Sequence, residues 1–258
     1  MIIKQSCEYY DGKDRPLHIY LPDGYDDPDE RYPVMYFFDG HNLFFDSDAT
    51  YGKCWGLKDF LDRWDKKMII VGMECGHEGN ERLSEYLPYK PFRKWFGDLE
   101  PMGGVTMRWI LEKVKPRIDR DFRTWSHREA TGIGGSSMGG LMALYGVTHY
   151  NAVFSKGACV SSAIGLCFPA LMRGMKEAAI DPDTRVWLSW GTREANAPDD
   201  AIDCRSHTYR NNKAAANKLT PHGAAVQLWC QLGGSHCEAD WEKQLDPMMR
   251  FLWKGERV

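Results

Sequence analysis

The stretch from Gly132 to Gly146, "GIGGSSMGGLMALYG", places two adjacent serines in a cluster of glycines directly before an apolar segment. Within it, "GSSMG" matches the pattern G-x-S-x-G with Ser137 at the centre. A serine in this pattern occupies a strained turn between a strand and a helix, where the two glycines approach closely because they lack Cβ. A simpler interpretation is that the glycines only permit tight packing of a helix on a strand. The apolar "ATGIGGS" before the motif and the helical "MGGLMALYGVTH" after it favour the first interpretation, so we predict Ser137 as a nucleophile and Ser136 as a packing residue.

Outward from this motif, apolar runs alternate with helical patterns along the chain. The runs that indicate further strands are Pro16–Pro22, Tyr32–Gly40, Met68–Cys75, Arg185–Thr192 and Ala225–Gly234. Runs that are apolar on both faces are typical of strands buried between helices. We therefore predict one α/β domain over residues 1–258, with a mostly parallel sheet and helices on both faces. In the helical pattern "VTMRWILEKVKPRIDRDF", Pro116 is expected to end or kink the helix.

Composition excludes several function classes. The formal net charge is -3, which gives no support for nucleic-acid binding. The N-terminus lacks the apolar segment of a signal peptide, and no apolar stretch is long enough to span a membrane, so we expect a cytoplasmic protein. The eight cysteines form no C-x-x-C pair, which argues against zinc and favours reduced thiols.

A serine hydroxyl is a weak nucleophile and needs a base, which follows the acid in the chain order of this architecture. The histidines downstream of Ser137 are His149, His207, His222 and His236. His149 belongs to the helix that follows the serine, and His207 and His222 lie in polar segments expected at the surface. Only His236, in the loop "GGSHCEADW", follows a predicted strand, so we predict it as the base.

The acid should follow the preceding strand, in "WLSWGTREANAPDDAID". Glu194 stands at the predicted strand end and is the preferred candidate. Asp199 is the next candidate, and Asp200 and Asp203 are also left open. The acid would orient His236 and stabilise its charged form without taking its proton.

An oxyanion hole should combine the N–H of Met138 with an N–H of the loop "FFDGHNLF". Gly40 permits the backbone turn there. The N–H of His41 is the preferred second donor, and that of Asn42 is the next candidate.

The same region contains Asp39, His41, Asp46 and Asp48, a set that would suit a metallohydrolase. Asp39 and His41 are better explained by the oxyanion loop, so we predict no metal and no organic cofactor. A small-molecule ester is the expected partner, and a homodimer is left open.

The chain resembles the "Putative esterase" family of α/β-hydrolases. The resemblance covers the chain from "LHIYLP" to the C-terminus and rests on "VMYFFDGHNLF", "ERLSEYLPY", "KPRIDRDFRTW", "TGIGGSSMGGLMALYG", "FSKGACVSSAIG", "WGTRE" and "GGSHCEADW". That family includes enterochelin-esterase-like proteins, S-formylglutathione hydrolases, feruloyl and acetyl-xylan esterases, and mycolyltransferases. The resemblance implies an α/β-hydrolase fold with Ser137, Glu194 and His236 as the triad, and with His41 and Met138 as oxyanion donors. Members of the family use either Asp or Glu as the acid, and some use a Ser–His pair.

Aromatic residues near these motifs are candidates to line the substrate pocket: Trp55, Tyr86, Trp95 and Trp241. Each tryptophan could equally serve core packing. Arg82 and Glu85 are expected to pair and fix the loop after the third predicted strand. No long insertion separates Ser137 from Glu194, so no large lid is predicted, and "LCFPALMRGMKEAAI" could form a small helical cover.

The sequence favours a serine carboxylesterase that acts on short-chain, carbohydrate-linked or aromatic acyl esters. Hydrolysis of a siderophore trilactone is the second possibility within this fold, and Arg82, Arg93, Lys94 and Arg193 are the cations available for it. Acyl transfer to an alcohol is a third possibility, and a non-catalytic binding protein that keeps the fold is a fourth.

Overall fold

The computed structural model describes residues 1–92, 99–195 and 201–256, and these residues form one eight-stranded sheet. The strands are β1 (Ile2–Glu8), β2 (Asp14–Tyr20), β3 (Val34–Phe38), β4 (Ile69–Met73), β5 (Thr131–Ser136), β6 (Lys156–Val160), β7 (Arg185–Gly191) and β8 (Ala225–Gln231). Their order across the sheet is β1-β2-β4-β3-β5-β6-β7-β8. β2 pairs antiparallel with β1 and β4, and all other pairs are parallel. The predicted mostly parallel sheet is confirmed.

Helices connect these strands. The α-helices of the described residues are α1 (Leu57–Leu61), α2 (Glu81–Glu85), α3 (Gly103–Trp109), α4 (Lys115–Asp121), α5 (Met138–His149), α6 (Phe168–Glu177), α7 (His207–Leu219), α8 (Glu238–Glu242) and α9 (Leu245–Lys254). Short 3₁₀ turns follow β3 at Gly40–Asn42 and β7 at Arg193–Ala195. Both turns lie where the sequence predicts functional residues.

The sequence analysis does not predict two of the strands, β1 and β6, for different reasons. β1 is an edge strand with a mostly half-exposed or exposed pattern, "IIKQSCE", and so lacks a continuous apolar run. β6, "KGACV", is buried but short and contains small side chains where bulky β-branched ones would signal a strand.

The helix that contains Pro116 does not end there. A π-helical turn at Ile110–Val114 joins α3 to α4, and Pro116 lies in the first turn of α4. The Lys115 N–H donates to the Ile110 carbonyl, five residues back, so the change from π-helical to α-helical bonding comes directly before the proline. The wider π-helical turn thus accommodates Pro116, and the helix continues past it. The sequence alone suggests that this proline should end or kink the helix.

Side chains of β3 contribute alternately to two buried clusters, which explains its continuous apolar run. Tyr36 and Phe38 belong to one cluster, and Met35 and Phe37 belong to the other. Successive side chains of a strand point to opposite faces, so both faces of the sheet at β3 are covered by apolar groups.

β3, β5, β6, β7 and β8 run parallel, so their carboxyl ends meet at the same edge of the sheet. Ser137, Glu194 and His236 follow β5, β7 and β8 at this edge. Over the ranges 1–92, 99–195 and 201–256, we find no helix with both the length and the apolarity that a membrane crossing requires.

Candidate active site

The backbone at Ser137 has the strained conformation that the motif predicts. Its φ is 56° and its ψ is -117°, a combination that residues with side chains rarely adopt. A Cβ on Gly135 would lie 2.7 Å from the carbonyl carbon of Gly139, which explains why glycines flank the serine. The Ser137 N–H donates to the Val160 carbonyl at 2.9 Å, and this bond ties the turn to the neighbouring strand β6. The half-buried Ser137 lines a cavity at the N-terminus of α5.

The structure brings His236 and Glu194 together at the same edge. His236 Nδ1 lies 2.8 Å from Glu194 Oε2, with the Glu194 side chain 9% exposed and the His236 side chain 47% exposed. An Nδ1–H donated to this carboxylate fixes the tautomer in which Nε2 is free to accept a proton. Of the three candidate aspartates, Asp203 instead accepts the Arg205 N–H at 2.9 Å. Asp199 and Asp200 lie outside the described residues.

Two groups donate to the other oxygen of the Glu194 carboxylate, and a third group holds one of them in place. Glu194 Oε1 accepts the Ser161 hydroxyl at 2.7 Å and the Gly191 N–H at 2.8 Å. Ser161 Oγ in turn accepts the Trp241 Nε1–H at 2.9 Å. The Trp241 ring also lies edge-on to His236, with ring centroids 5.1 Å apart. One connected set of contacts therefore fixes both Glu194 and His236.

Sequence reasoning missed Ser161 as a member of this network. Its role depends on a φ of 45° directly after β6, a strand that the apolar pattern does not predict. The only signal in the sequence is its place in the family motif "FSKGACVSSAIG".

The predicted oxyanion loop is rigidly fixed after β3. Arg82 donates two hydrogen bonds to the Asp39 carboxylate, at 2.7 and 2.8 Å, and the Asp39 N–H donates to Tyr86 Oη at 3.2 Å. A Cβ on Gly40 would lie 2.5 Å from the Gly72 carbonyl, so the loop packs directly on β4. Burial lowers the pKa of Arg82, but its bonds to Asp39 outweigh this and raise that pKa above its usual range.

The expected pair of Arg82 with Glu85 is wrong. Glu85 binds the buried Arg15 at 2.6 Å and accepts the Gly76 N–H at 3.1 Å. A cation buried within β2 needs its own carboxylate, which commits Glu85 to Arg15 and leaves Arg82 for Asp39.

The aromatic residues predicted to contact substrate are buried where they are described. Trp55, Tyr86 and Trp241 are only 2%, 1% and 5% exposed. Trp55 and Trp241 pack against each other at 5.8 Å, and burial raises the pKa of Tyr86 well above its usual value. Their direct contact with substrate stays a prediction, and Trp95 lies outside the described residues.

A cavity of about 1010 Å³ opens beside Ser137 and Met138. Its apolar lining is contributed by Leu83, Phe92, Ala163, Leu166 and Phe168. Leu166 and Phe168 come from the segment expected to form a small cover, and α6 is its helix. Polar groups are supplied by Arg82, His207, Arg210 and Asn211. His207 is exposed, as expected, but it stands at this cavity rather than on a remote surface.

The four residues considered for a metallohydrolase have separate partners. Asp39 binds Arg82, Asp46 accepts the Cys54 N–H at 2.8 Å, and Asp48 pairs with Lys4 at 2.8 Å. His41 Nε2 lies 3.0 Å from Thr50 Oγ1. The residues are thus engaged individually and do not form one ligand set.

Comparison with known proteins relates this chain to esterases. The family model described as "Putative esterase" matches residues 10–252. The "Uncharacterized protein YbbA" of Bacillus subtilis (strain 168) is 22% identical over 261 residues, which span 99% of both chains.

Two similar solved structures share the fold. The IroE-like serine hydrolase from Shewanella oneidensis superposes with a TM-score of 0.76 at 19% identity, over 100% of this chain and 82% of that one. The enterobactin esterase FES from Shigella flexneri superposes with a TM-score of 0.73 at 17% identity, over 99% of this chain and 59% of that one.

Proposed function

The chain belongs to the Putative esterase family and is a carboxylesterase, and from this premise we propose that it hydrolyses esters through a Ser137–His236–Glu194 triad. The observation that carries the triad is the 2.8 Å contact between His236 Nδ1 and Glu194 Oε2 at the sheet edge that also presents Ser137. The strained turn at Ser137 supports the same assignment.

In the proposed reaction, Ser137 Oγ attacks the ester carbonyl carbon while His236 Nε2 takes the hydroxyl proton. The N–H groups of Met138 and His41 stabilise the negative oxygen of the tetrahedral intermediate. His236 then returns the proton to the leaving alcohol, and an acyl group remains on Ser137. Water, activated by His236, attacks this acyl-enzyme and releases the carboxylic acid. Glu194 keeps its charge throughout and stabilises the imidazolium.

The cavity beside Ser137 supports an ester with an apolar or aromatic portion. Phe92, Leu166 and Phe168 offer a wall that buries apolar surface without presenting unpaired charge. Short-chain acyl esters, aromatic acyl esters and acyl groups linked to carbohydrate all fit this chemistry. Arg210 and Asn211 supply hydrogen-bond donors for a polar alcohol portion.

Hydrolysis of a siderophore trilactone is the second candidate. Its support is the similarity of fold to the enterobactin esterase together with Arg82 and Arg210 at the cavity. Against it, Arg82 already donates from Nε and Nη2 to Asp39. Among the described residues that line the cavity, an anionic ligand would therefore rely chiefly on Arg210, and Arg93 and Lys94 lie outside the described residues.

We also propose that helices cover both faces of the sheet, that the site has a small cover, and that the protein is cytoplasmic. The two apolar clusters that β3 joins support helices on both faces of the sheet, and α6 beside the cavity supports a small cover in place of a large lid. Eight free cysteines support a reducing, cytoplasmic location.

Replacement of Ser137 tests the proposal. We expect Ser137→Ala to lower turnover of p-nitrophenyl acetate by roughly a millionfold, because the triad acts as a unit. Ser136→Ala is the matched control, since this neighbour is buried at the end of β5, and it should keep most activity. Equal losses in the two folded variants would contradict the assignment. A panel of p-nitrophenyl esters, methyl hydroxycinnamates, acetylated xylo-oligosaccharides and a catecholate trilactone then separates the substrate classes.

A further inference from the structure

A cluster of histidines surrounds one carboxylate behind the loop that follows β3. Glu74 follows β4 directly, His77 lies three residues further along, and His41 belongs to the 3₁₀ turn Gly40–Asn42. One ligand atom from each of these three side chains lies within 4.8 Å of the other two. His18, from the neighbouring strand β2, reaches the same carboxylate.

The Nδ1 atom of His41 is buried and has no hydrogen-bond partner. It lies 3.8 Å from Glu74 Oε2, which is too long for a hydrogen bond, and the side chain is only 12% exposed. The other ring nitrogen, Nε2, lies 3.0 Å from Thr50 Oγ1. With Nε2–H donated to Thr50, Nδ1 directs a lone pair towards an anionic oxygen. In this tautomer the contact is repulsive unless a cation lies between the two atoms, and in the other tautomer Nδ1–H faces Glu74 without a hydrogen bond.

A separation of 3.8 Å suits a shared metal ion. Zinc binds imidazole nitrogen and carboxylate oxygen at about 2.0–2.2 Å, so two ligand atoms up to about 4 Å apart can bind one ion. In the tautomer that binds a metal through Nδ1, His41 donates its Nε2–H to Thr50 Oγ1, and metal-binding histidines usually donate their other ring N–H in this way.

His77 completes a set of three ligands. Its Nε2 lies 2.8 Å from Glu74 Oε2, and the side chain is 54% exposed. The ring can therefore turn to share an ion with the carboxylate without disturbing the core. Its ring also lies 5.1 Å from that of His41, edge to face.

His18 positions the carboxylate from the opposite side. Its Nε2 lies 2.5 Å from Glu74 Oε1, and its side chain is only 4% exposed. Because Oε1 is engaged by His18, Oε2 is the oxygen left towards His41 and His77. A buried partner behind a ligand carboxylate is typical of metal sites.

We propose that His41 Nδ1, Glu74 Oε2 and His77 Nε2 bind a divalent first-row transition-metal ion such as Zn²⁺. Two imidazole nitrogens and one carboxylate oxygen suit this class of ion, whereas Ca²⁺ and Mg²⁺ prefer all-oxygen sets. The exposed side of His77 leaves the remaining coordination position to water. The ion clamps the loop after β3 to the loop after β4. This site stands on its own geometry and does not require the ester chemistry.

Zinc binding to the chelator-treated full chain tests the proposal. The measurements use a Cys204→Ser background, because this exposed free thiol would also bind zinc. We expect one Zn²⁺ per chain by calorimetric titration, and a rise of the unfolding temperature with zinc concentration, since the ion binds the folded chain more tightly than the unfolded one. Co²⁺ should give visible absorption bands from nitrogen and oxygen coordination.

Two variants and one control assign the site. His77→Ala should weaken zinc binding at least tenfold, because loss even of an outer partner costs about 10–100-fold in metal affinity. Glu74→Gln should do the same, and His77→Ala covers the case in which Glu74→Gln fails to fold. His127→Ala, at an exposed histidine outside the cluster, should bind zinc like the parent.

Absence of saturable binding at one ion per chain would overturn the proposal. So would equal zinc affinity in His77→Ala and His127→Ala. Hydrolysis of p-nitrophenyl acetate by the same samples is recorded separately, so failure of the metal site is distinguishable from failure of the proposed esterase mechanism.

Discussion

At the scale of single residues, backbone strain marks the site. Among residues 1–92, 99–195 and 201–256, the non-glycine residues with positive φ are Asp39, Ser137 and Ser161. They follow β3, β5 and β6, which are adjacent strands of the sheet. Each such conformation costs about 1–3 kcal/mol and persists only where the surroundings impose it. Hydrogen bonds to Arg82, Val160 and Glu194 impose it here.

The carboxylate of Glu194 gives the sharpest prediction at this scale. Glu194→Gln keeps the shape of the side chain but can donate an N–H to His236 and favour the wrong tautomer. We expect turnover of p-nitrophenyl acetate to fall by up to about 10⁴. The loss should appear chiefly in kcat, because Glu194 lies behind the base and does not line the cavity.

Asp203→Asn is the matched control for Glu194→Gln. Asp203 is also a candidate acid by its position in the sequence, but its carboxylate accepts the Arg205 N–H. Its replacement should leave kcat within a few-fold of the parent value. Loss of activity in Asp203→Asn together with full activity in Glu194→Gln would contradict Glu194 as the acid and assign that role to Asp203.

At the scale of elements, the junction between β5 and α5 decides the geometry. Gly135 and Gly139 face each other so closely that a Cβ on Gly135 would meet the backbone of Gly139 at 2.7 Å. Backbone atoms cannot move aside as the end of a flexible side chain can. The turn that presents Ser137 is therefore fixed by packing of a strand end against the first turn of a helix.

Gly135→Ala should therefore damage both stability and activity. We expect a loss of about 1–3 kcal/mol in the free energy of unfolding from overpacking. Turnover should fall at least tenfold, because the Ser137 hydroxyl shifts with the turn. Urea unfolding and p-nitrophenyl acetate hydrolysis measure the two effects.

Gly104→Ala is the matched control, since this glycine lies in α3 and its Cβ would meet only Tyr145 Oη, at 3.9 Å. Alanine favours a helix over glycine by about 0.5–1 kcal/mol, so this variant should be slightly more stable and fully active. Equal behaviour of the two alanine variants would contradict the packing argument.

At the scale of the whole molecule, the sequence predicts the sheet and the chemistry better than it predicts the contacts that hold the site residues in place. Six strands and the places of Ser137, Glu194 and His236 follow from apolar runs and chain order, because buried parallel strands leave a strong local signal. The partners of Arg82 and the role of Ser161 do not follow from the sequence, because they depend on which residues from distant segments come into contact. For the same reason the sequence leaves open whether Trp55 and Trp241 pack in the core or line the pocket, and it does not predict the burial of Tyr86.

Stability should depend on pH through Lys156, at the start of β6. Burial lowers the pKa of this lysine from 10.5 to about 8, although its ammonium donates to the Glu129 carbonyl at 2.7 Å and to Ser155 Oγ at 2.8 Å. Below about pH 8 the Lys156 ammonium is charged in both the folded and the unfolded chain, and the folded chain bears the full cost of burying that charge. Between about pH 8 and 10.5 only the unfolded state is protonated, so the free energy of unfolding rises with pH.

Lys156→Met removes this dependence. The stability of the parent relative to the variant should rise between about pH 8 and 10.5, by about 1–3 kcal/mol after allowance for partial solvent exposure. Urea unfolding of both proteins at several pH values gives the difference, in which the titration of other groups cancels. A difference that stays constant across this range would contradict the lowered pKa.

Covalent labelling tests the central claim, an activated serine at position 137, most directly. A fluorophosphonate phosphonylates a serine that a base has activated: the serine oxygen displaces fluoride at phosphorus, and the proton passes to the base. Mass spectrometry of the intact chain and of its proteolytic peptides locates the adduct. The account predicts one adduct per chain, on Ser137, with loss of ester hydrolysis in proportion to labelling and no adduct in His236→Ala. An adduct on Ser136 or another residue, or full ester hydrolysis by a chain labelled on Ser137, would contradict it.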